Sequence, residues 1–235
     1  VVVSEAAGRD FDYWPDKARR VRVVYNGVAL EDFPRDFDRA AVRRDLGIPH
    51  DAIVVGHVGL LSERKRQHIT LAAAQRAVAT EPRLHFLIVG DASLHTRDYD
   101  VRLRRDAKNL GLENHVTFLP FTRDIARIYA ALDLNLLISD DEGFGRVIVE
   151  AAAYNVPTIG TRIGGIPEII KAGNSGELIA LDDVDALANH LVKLARDDAR
   201  RQSLGDAAKA TLLERFTIAK HVEAMEQVFS EVLAI

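Results

Sequence analysis

Hydrophobic and polar positions along this chain alternate in blocks. From residue 53 onward, short and mostly apolar runs stand at 53–59, 84–90, 116–119, 134–138, 158–159 and 177–180. Longer stretches of mixed polarity separate them, at 67–80, 98–110, 124–132 and 166–171. The short runs read as strands and the longer stretches as helices. Residues 139–153 read as a tight turn that opens into a helix of small residues, and everything from Asp183 onward reads as helical. Parallel neighbours need a crossover between them, so this alternation predicts an α/β fold with a parallel sheet covered by helices on both faces.

Before residue 53 the pattern is less regular. Residues 1–4 resemble a short strand with no local partner, and 5–20 read as a polar connector broken at Trp14-Pro15. Residues 21–25 form a strand, and Asn26-Gly27 supplies the turn after it. Asp38 caps a short helix reaching Leu46, with Gly47 just past its end. The chain opens on Val1 without an initiator methionine, so residues 1–25 are expected to be the end of an earlier domain and a linker. Residues 26–215 then form the main domain and 216–235 a terminal helix. Within that helix Val222, Met225, Val228, Phe229, Val232 and Leu233 recur at helical spacing, which predicts a core stripe on this domain. The other reading is a helix whose far end crosses back to the absent domain.

Composition narrows the classes. The 235 residues are 48% hydrophobic and 28% charged, an ordinary globular balance. The formal net charge of -4, from 31 basic and 35 acidic residues, lacks the basic excess that a nucleic-acid partner draws. Cysteine is absent, which excludes disulfides and thiolate metal sites and favours a reducing compartment. The expected location is therefore cytoplasmic, with any contact at the inner membrane face peripheral and made by the absent half. No apolar run approaches the ~18 residues of a membrane span, and no signal peptide is visible. No metal is expected either. Asp98-Tyr99-Asp100 opens a helix, where acids suit the dipole, and Asp140-Asp141 is adjacent rather than alternating.

Candidate chemistry gathers at strand ends. In such sheets ligands sit beyond the carboxyl ends of the strands, and four glycine-bearing ends point there: Gly59, Gly90, Glu142 to Gly145, and Gly160 to Gly165. Their coincidence predicts a nucleotide or phosphate ligand. Neither a Walker-type lysine loop nor a GxGxxG is present, which disfavours an ATPase or an NAD enzyme. The turn from Ser139 to Gly145 leads into a helix start, where free backbone N–H groups attract anions. Glu142 and Glu150 flank it, separated by roughly 8 Å at about 1.5 Å per helical residue. That is near the span of a diphosphate with a hydroxylated group at each end, and carboxylates accept from vicinal hydroxyls.

Several segments in order resemble one family. Asn26-Gly27-Val28 with Phe33, Val58-Gly59-Leu60-Leu61-Ser62-Glu63-Arg64-Lys65, Val116-Thr117-Phe118-Leu119-Pro120, Glu142-Gly143-Phe144-Gly145 with Glu150, and Ile163-Gly164-Gly165-Ile166-Pro167-Glu168 together resemble the donor-binding, C-terminal half of retaining nucleotide-sugar glycosyltransferases of the GT-B fold. The resemblance runs from Tyr25 to Phe216 and implies a Rossmann-like domain. It implies transfer of a sugar from a UDP- or GDP-sugar to a glycan, lipid or small-molecule acceptor, without a metal. Lys65 and Glu142 would be the catalytic residues, with the lysine on the diphosphate and the glutamate beside the sugar. Gly59, Arg64, Leu119, Gly143, Phe144, Gly145, Arg146 and Glu150 would bind the donor, Glu150 through the ribose and Leu119 through the base. His57 and His68 are not assigned as bases. The acceptor would lie mostly on the missing N-terminal domain.

One position departs from the family. An arginine usually follows the strand-end glycine, and here Leu60 stands there, so Arg64 or Arg146 would have to reach the phosphates. Leu60 also keeps open a non-catalytic nucleotide-sugar-binding module, and a sugar-nucleotide epimerase of similar fold is the remaining alternative.

Overall fold

The structure, a computed structural model, describes residues 1–233. Six strands form one parallel sheet: β1 (Ile53–Val58), β2 (Leu84–Val89), β3 (Val116–Leu119), β4 (Leu134–Leu137), β5 (Thr158–Thr161) and β6 (Gly176–Ile179), in the order β3-β2-β1-β4-β5-β6. The helices are α1 (Glu5–Arg9), α2 (Lys17–Arg20), α3 (Arg39–Asp45), α4 (Gln67–Val78), α5 (Arg97–Asn109), α6 (Ile125–Ala131), α7 (Arg146–Ala152), α8 (Ile166–Ile169), α9 (Val184–Arg196), α10 (Asp198–Arg215) and α11 (Ile218–Leu233).

Strand alternation sorts the core into two layers. Val55, Phe86, Leu136 and Ile159 face one side, where Leu71 of α4, Leu103 of α5 and Leu187 and Leu191 of α9 cover them. Val54, Leu87 and Leu137 face the other, under Tyr129 of α6, Ile148 of α7, Ile166 of α8 and Leu212 of α10. Short aspartate caps start several helices. Asp38 accepts from Ala41 N at 3.0 Å and Asp183 from Ala186 N at 2.9 Å. Asp197 accepts from Arg200 N at 2.8 Å, which restarts the chain as α10 directly after α9 and divides the helical remainder.

Four expectations are corrected. Residues 21–25 form no strand; among them only Val23 is bridged. Residues 1–4 do have a local partner: Val2 N donates to Arg22 O and Val24 N to Val2 O, both at 2.9 Å, forming a parallel bridge between Val2 and Val23. The polar stretch 5–20 contains α1 and α2, because Ser4 caps the first through Ala7 N at 3.0 Å. The apolar stripe of α11 is not core. No residue of that helix is buried, and Val222, Phe229 and Val232 are 46%, 58% and 63% exposed. Ala234 and Ile235, the last two positions of the expected terminal helix, lie outside the described residues. No described helix is long and apolar enough to cross a membrane.

Gly90 closes β2 against the loop after β1. Its φ is +143°, and a Cβ there would lie 2.1 Å from the carbonyl oxygen of Gly59. Gly47 also has a positive φ, +68°, but open space around it. Gly90→Ala should therefore lower the unfolding free energy by at least ~2 kcal/mol, against about 1 kcal/mol for Gly47→Ala. Denaturant titration of the two variants beside the wild type measures the difference.

Candidate active site

The strand order reverses between β1 and β4. The chain leaves β1 toward β2 on one side and leaves β4 toward β5 on the other, so the two following loops part and open a crevice. Those loops carry Arg64-Lys65-Arg66 and Asp140-Asp141-Glu142, and the two runs pair. Arg64 meets Asp141, Lys65 Nζ lies 2.5 Å from Glu142 Oε2, and Arg66 lies 3.1 Å from Asp140. Asp140 N also donates to Arg64 O at 3.1 Å. Residues Glu63–Lys65 form a single 3-10 turn, and Arg66 ends it with φ +50°. The outer pair of Arg64 and Asp141 is exposed and worth little. The pair of Lys65 and Glu142 is part-buried, with side chains 27% and 15% exposed.

Glu142 is positioned from behind. Gly165 N donates to Glu142 O at 2.9 Å, and a Cβ on Gly164 (φ +55°) would lie 2.0 Å from that same oxygen. Only glycine lets the 164–165 turn press against this loop. At the end of β4, Thr161 Oγ1 donates to Ser139 O at 2.7 Å and accepts from Ser139 N at 3.2 Å, extending the β4–β5 ladder to the edge of the acidic turn.

A cleft of about 680 Å³ opens at the carboxyl ends of β1 and β2, lined among others by Gly59, Leu60, Gly90, Phe121, Arg146 and Glu150. Lys65 and Glu142 are not in its lining, and Lys65 comes nearest to it, its Cε 4.0 Å from where a Cβ on Gly59 would stand. Tyr129 Oη donates to Glu150 Oε2 at 2.9 Å, and Arg146 lies 3.3 Å from Glu150 Oε1. Burial, with Glu150 beside it, pushes the Tyr129 phenol well above its ordinary value, so it stays a donor. The carboxylate is thus fixed in orientation, with one oxygen turned toward a cation.

The expected site residues separate accordingly. Lys65 and Glu142 are brought into contact, and Gly59, Arg146 and Glu150 line one cleft. Arg64 points to Asp141, with its side chain 66% exposed. Leu119 is part-buried against the core and its carbonyl accepts from Gly90 N at 2.9 Å; it does not line the cleft. Gly143 is exposed and Gly145 starts α7 with φ +98°. The Phe144 ring is 3% exposed and packs on Tyr25 and Phe216, with centroids 6.1 and 5.5 Å away, so it is core. The cleft-lining Phe121 and Arg123 were not singled out from sequence. Their signal was Pro120, which breaks β3 and sends the next residues across its carboxyl end. Among the described residues, no group of three His, Asp or Glu side chains is placed to hold a metal ion.

A sequence model of the family described as "Glycosyl transferases group 1" matches residues 38–211. The chain belongs to the glycosyl transferases group 1 family. It is 33% identical over 215 residues to N-acetyl-alpha-D-glucosaminyl L-malate synthase of Bacillus anthracis, covering 91% of this chain and 54% of that protein. Anabaena HepE, solved in complex with UDP and glucose, superposes with a TM-score of 0.90 at 31% identity, over 97% of this chain and 62% of that one. The C-terminal domain of a glycosyl transferase group 1 family protein, LpcC of Francisella tularensis, superposes with a TM-score of 0.75 at 26% identity, over 82% of this chain and all of that domain. The chain spans about half the length of the curated relatives it matches. These likenesses carry the α/β, Rossmann-like architecture of the GT-B fold to this chain.

In this member of the family the two histidines near the basic loop are not poised as bases. His57 is 1% exposed, and its Nδ1 lies 2.9 Å from Thr70 Oγ1. Burial, reinforced by the Lys65 cation, pushes its pKa down to about 3. Half-burial also lowers His68, whose Nδ1 lies 3.2 Å from Tyr99 Oη. A neutral buried histidine stabilises the fold above its unfolded pKa, near 6.5, and that stability is lost as pH falls toward 3. Between pH 7 and pH 5 the wild type should therefore lose about 2 kcal/mol more stability than His57→Gln. Denaturant midpoints of both proteins across that range give the comparison.

Proposed function

We propose that this chain is the donor-binding part of a retaining glycosyltransferase, and that its cleft takes a nucleoside diphosphate-sugar. The observation that carries the reading is the meeting of Lys65 and Glu142 at the carboxyl ends of β1 and β4, beside a cleft that holds Glu150. In this reading Glu150, held by Tyr129, accepts from the ribose hydroxyls. Lys65 and Arg146 face the diphosphate, and Glu142 faces the sugar. The backbone of Gly143, Phe144 and Gly145 turns N–H groups toward sugar and phosphate. As the bond from the anomeric carbon to the phosphate oxygen breaks, the acceptor hydroxyl oxygen bonds to that carbon on the same face and its proton passes to the departing phosphate oxygen. The departing diphosphate gains negative charge, which Lys65 offsets. These cations do the work without a metal. Uracil is the favoured base, on the likeness to the UDP-bound Anabaena protein.

Acceptor and partner domain complete the proposal. The exposed stripe of α11 supports a second domain that covers it and supplies the acceptor, a sugar, lipid or glycan. Leu60, 49% exposed in the cleft, favours one second reading, a module that binds the nucleotide-sugar without turning it over. Activity of the full-length protein decides between the two.

Calorimetric titration of the chain with UDP, GDP and ADP tests the site. UDP should bind, and Lys65→Ala or Glu150→Ala should each weaken it by about tenfold or more, the size of a lost charge-assisted contact. Arg146→Ala should weaken UDP more than Arg64→Ala does, since Arg146 lines the cleft and Arg64 does not. Binding unchanged in all four variants would place the nucleotide elsewhere.

A further inference from the structure

Lys65, on the loop after β1, and Glu142, on the loop after β4, are bonded to each other. The two side chains meet at 2.5 Å and are both part-buried. Glu142 is the fixed partner: its loop is pinned by the 2.9 Å bond from Gly165 N and by the close approach of Gly164. Lys65 reaches it on a long, unbranched stem whose Cε passes 4.0 Å from the position a Cβ would take on cleft-lining Gly59. The contact of Arg66 with Asp140 and the bond from Asp140 N to Arg64 O keep the two loops together whatever Lys65 does.

We propose that Glu142 makes the cleft discriminate between the sugar-bearing nucleotide and the bare nucleoside diphosphate by competing for Lys65. The inference rests on the donor reading above. A diphosphate that takes Lys65 strips Glu142 of its cation. With a sugar attached, hydroxyl donors replace that cation on the carboxylate, and the exchange is close to even. The bare diphosphate offers no donor to Glu142 and carries about one more negative charge at neutral pH, since a terminal phosphate has a second pKa near 6. It leaves a part-buried carboxylate unpartnered beside an anion, which is costly. Lys65 then returns to Glu142 as the diphosphate leaves. The same pair that is opened by the substrate thus closes against the product, which favours release after transfer.

The test is titration of the 235-residue chain with UDP and with UDP-glucose, comparing wild type, Glu142→Gln and Asp141→Asn. Glu142→Gln frees Lys65 without changing side-chain size. It should bind UDP roughly threefold to tenfold more tightly while UDP-glucose gains nothing or weakens, so the preference for UDP-glucose over UDP falls by at least the same factor. Asp141→Asn removes an equal charge one residue away without touching Lys65, and its preference should match wild type. A preference unmoved in Glu142→Gln, or moved equally by Asp141→Asn, overturns the competition while leaving the donor site intact. Wild-type chain that binds neither ligand overturns the donor reading itself, and this inference with it.

Discussion

The parallel pairing of β1 with β4 is the contact on which the rest of the molecule depends. Only three residue pairs form it: Val55 with Leu134, Gly56 with Asn135 and His57 with Leu136. Carboxylates anchor it at both ends. At the start of the strands, Asp133 Oδ2 accepts from Val54 N at 2.7 Å and is paired with Arg43 at 2.6 Å, while Asp133 N donates back to Val54 O at 2.8 Å. At the far end, the 140–142 loop meets the 64–66 loop. The sheet therefore cannot slip in register without breaking charged contacts at either edge. Because the chain turns away in opposite directions after these two strands, the same pairing that fixes the sheet opens the crevice.

The site inherits its order from backbone that has little freedom. The 164–165 turn touches the carbonyl of Glu142, and Gly90 touches that of Gly59. These close approaches fix the backbone of the loop that carries Glu142 and of the turn that leaves β1. Behind them the polar groups are buried and neutral. His57 is held down by burial, and Tyr129 is held protonated against Glu150. A cleft built this way is organised before a ligand arrives, which lowers the ordering cost of binding.

Segments outside the family-matched residues are tied to the same place. Glu168, at the end of the Gly-Gly-Ile-Pro-Glu turn, accepts from Glu5 N at 2.9 Å, Ala6 N at 2.8 Å and Tyr25 Oη at 3.0 Å. Tyr25 in turn joins Phe144 and Phe216 in an aromatic trio, and Val28 pairs with Thr217 at the junction of α10 and α11. The first residues, the acidic turn and the base of the last helix thus share one small core. The position of α11 is coupled to the loop that carries Glu142 through packing rather than through charge.

From residue 53 onward the order and type of the elements were readable from the sequence alone, because buried parallel strands leave runs apolar on both faces and glycines mark where strands end close to one another. The carboxyl-end location of the site was readable for the same reason: Gly59, Gly90 and the 142–145 turn are local signals. What pairs with what was not readable. Lys65 in the basic run at 64–66 and Glu142 in the acidic run at 140–142 are 77 positions apart in sequence, and either run alone reads as a solvated loop. Phe121 and Tyr129 gain their places only when β3 and α6 pack against the cleft. The stripe on α11 shows the limit most plainly. Its periodicity determines that one face is apolar, yet whether that face is covered depends on what stands opposite, and only the tertiary structure shows Val222, Phe229 and Val232 exposed. Local periodicity is encoded residue by residue, whereas burial and charge pairing belong to the whole fold.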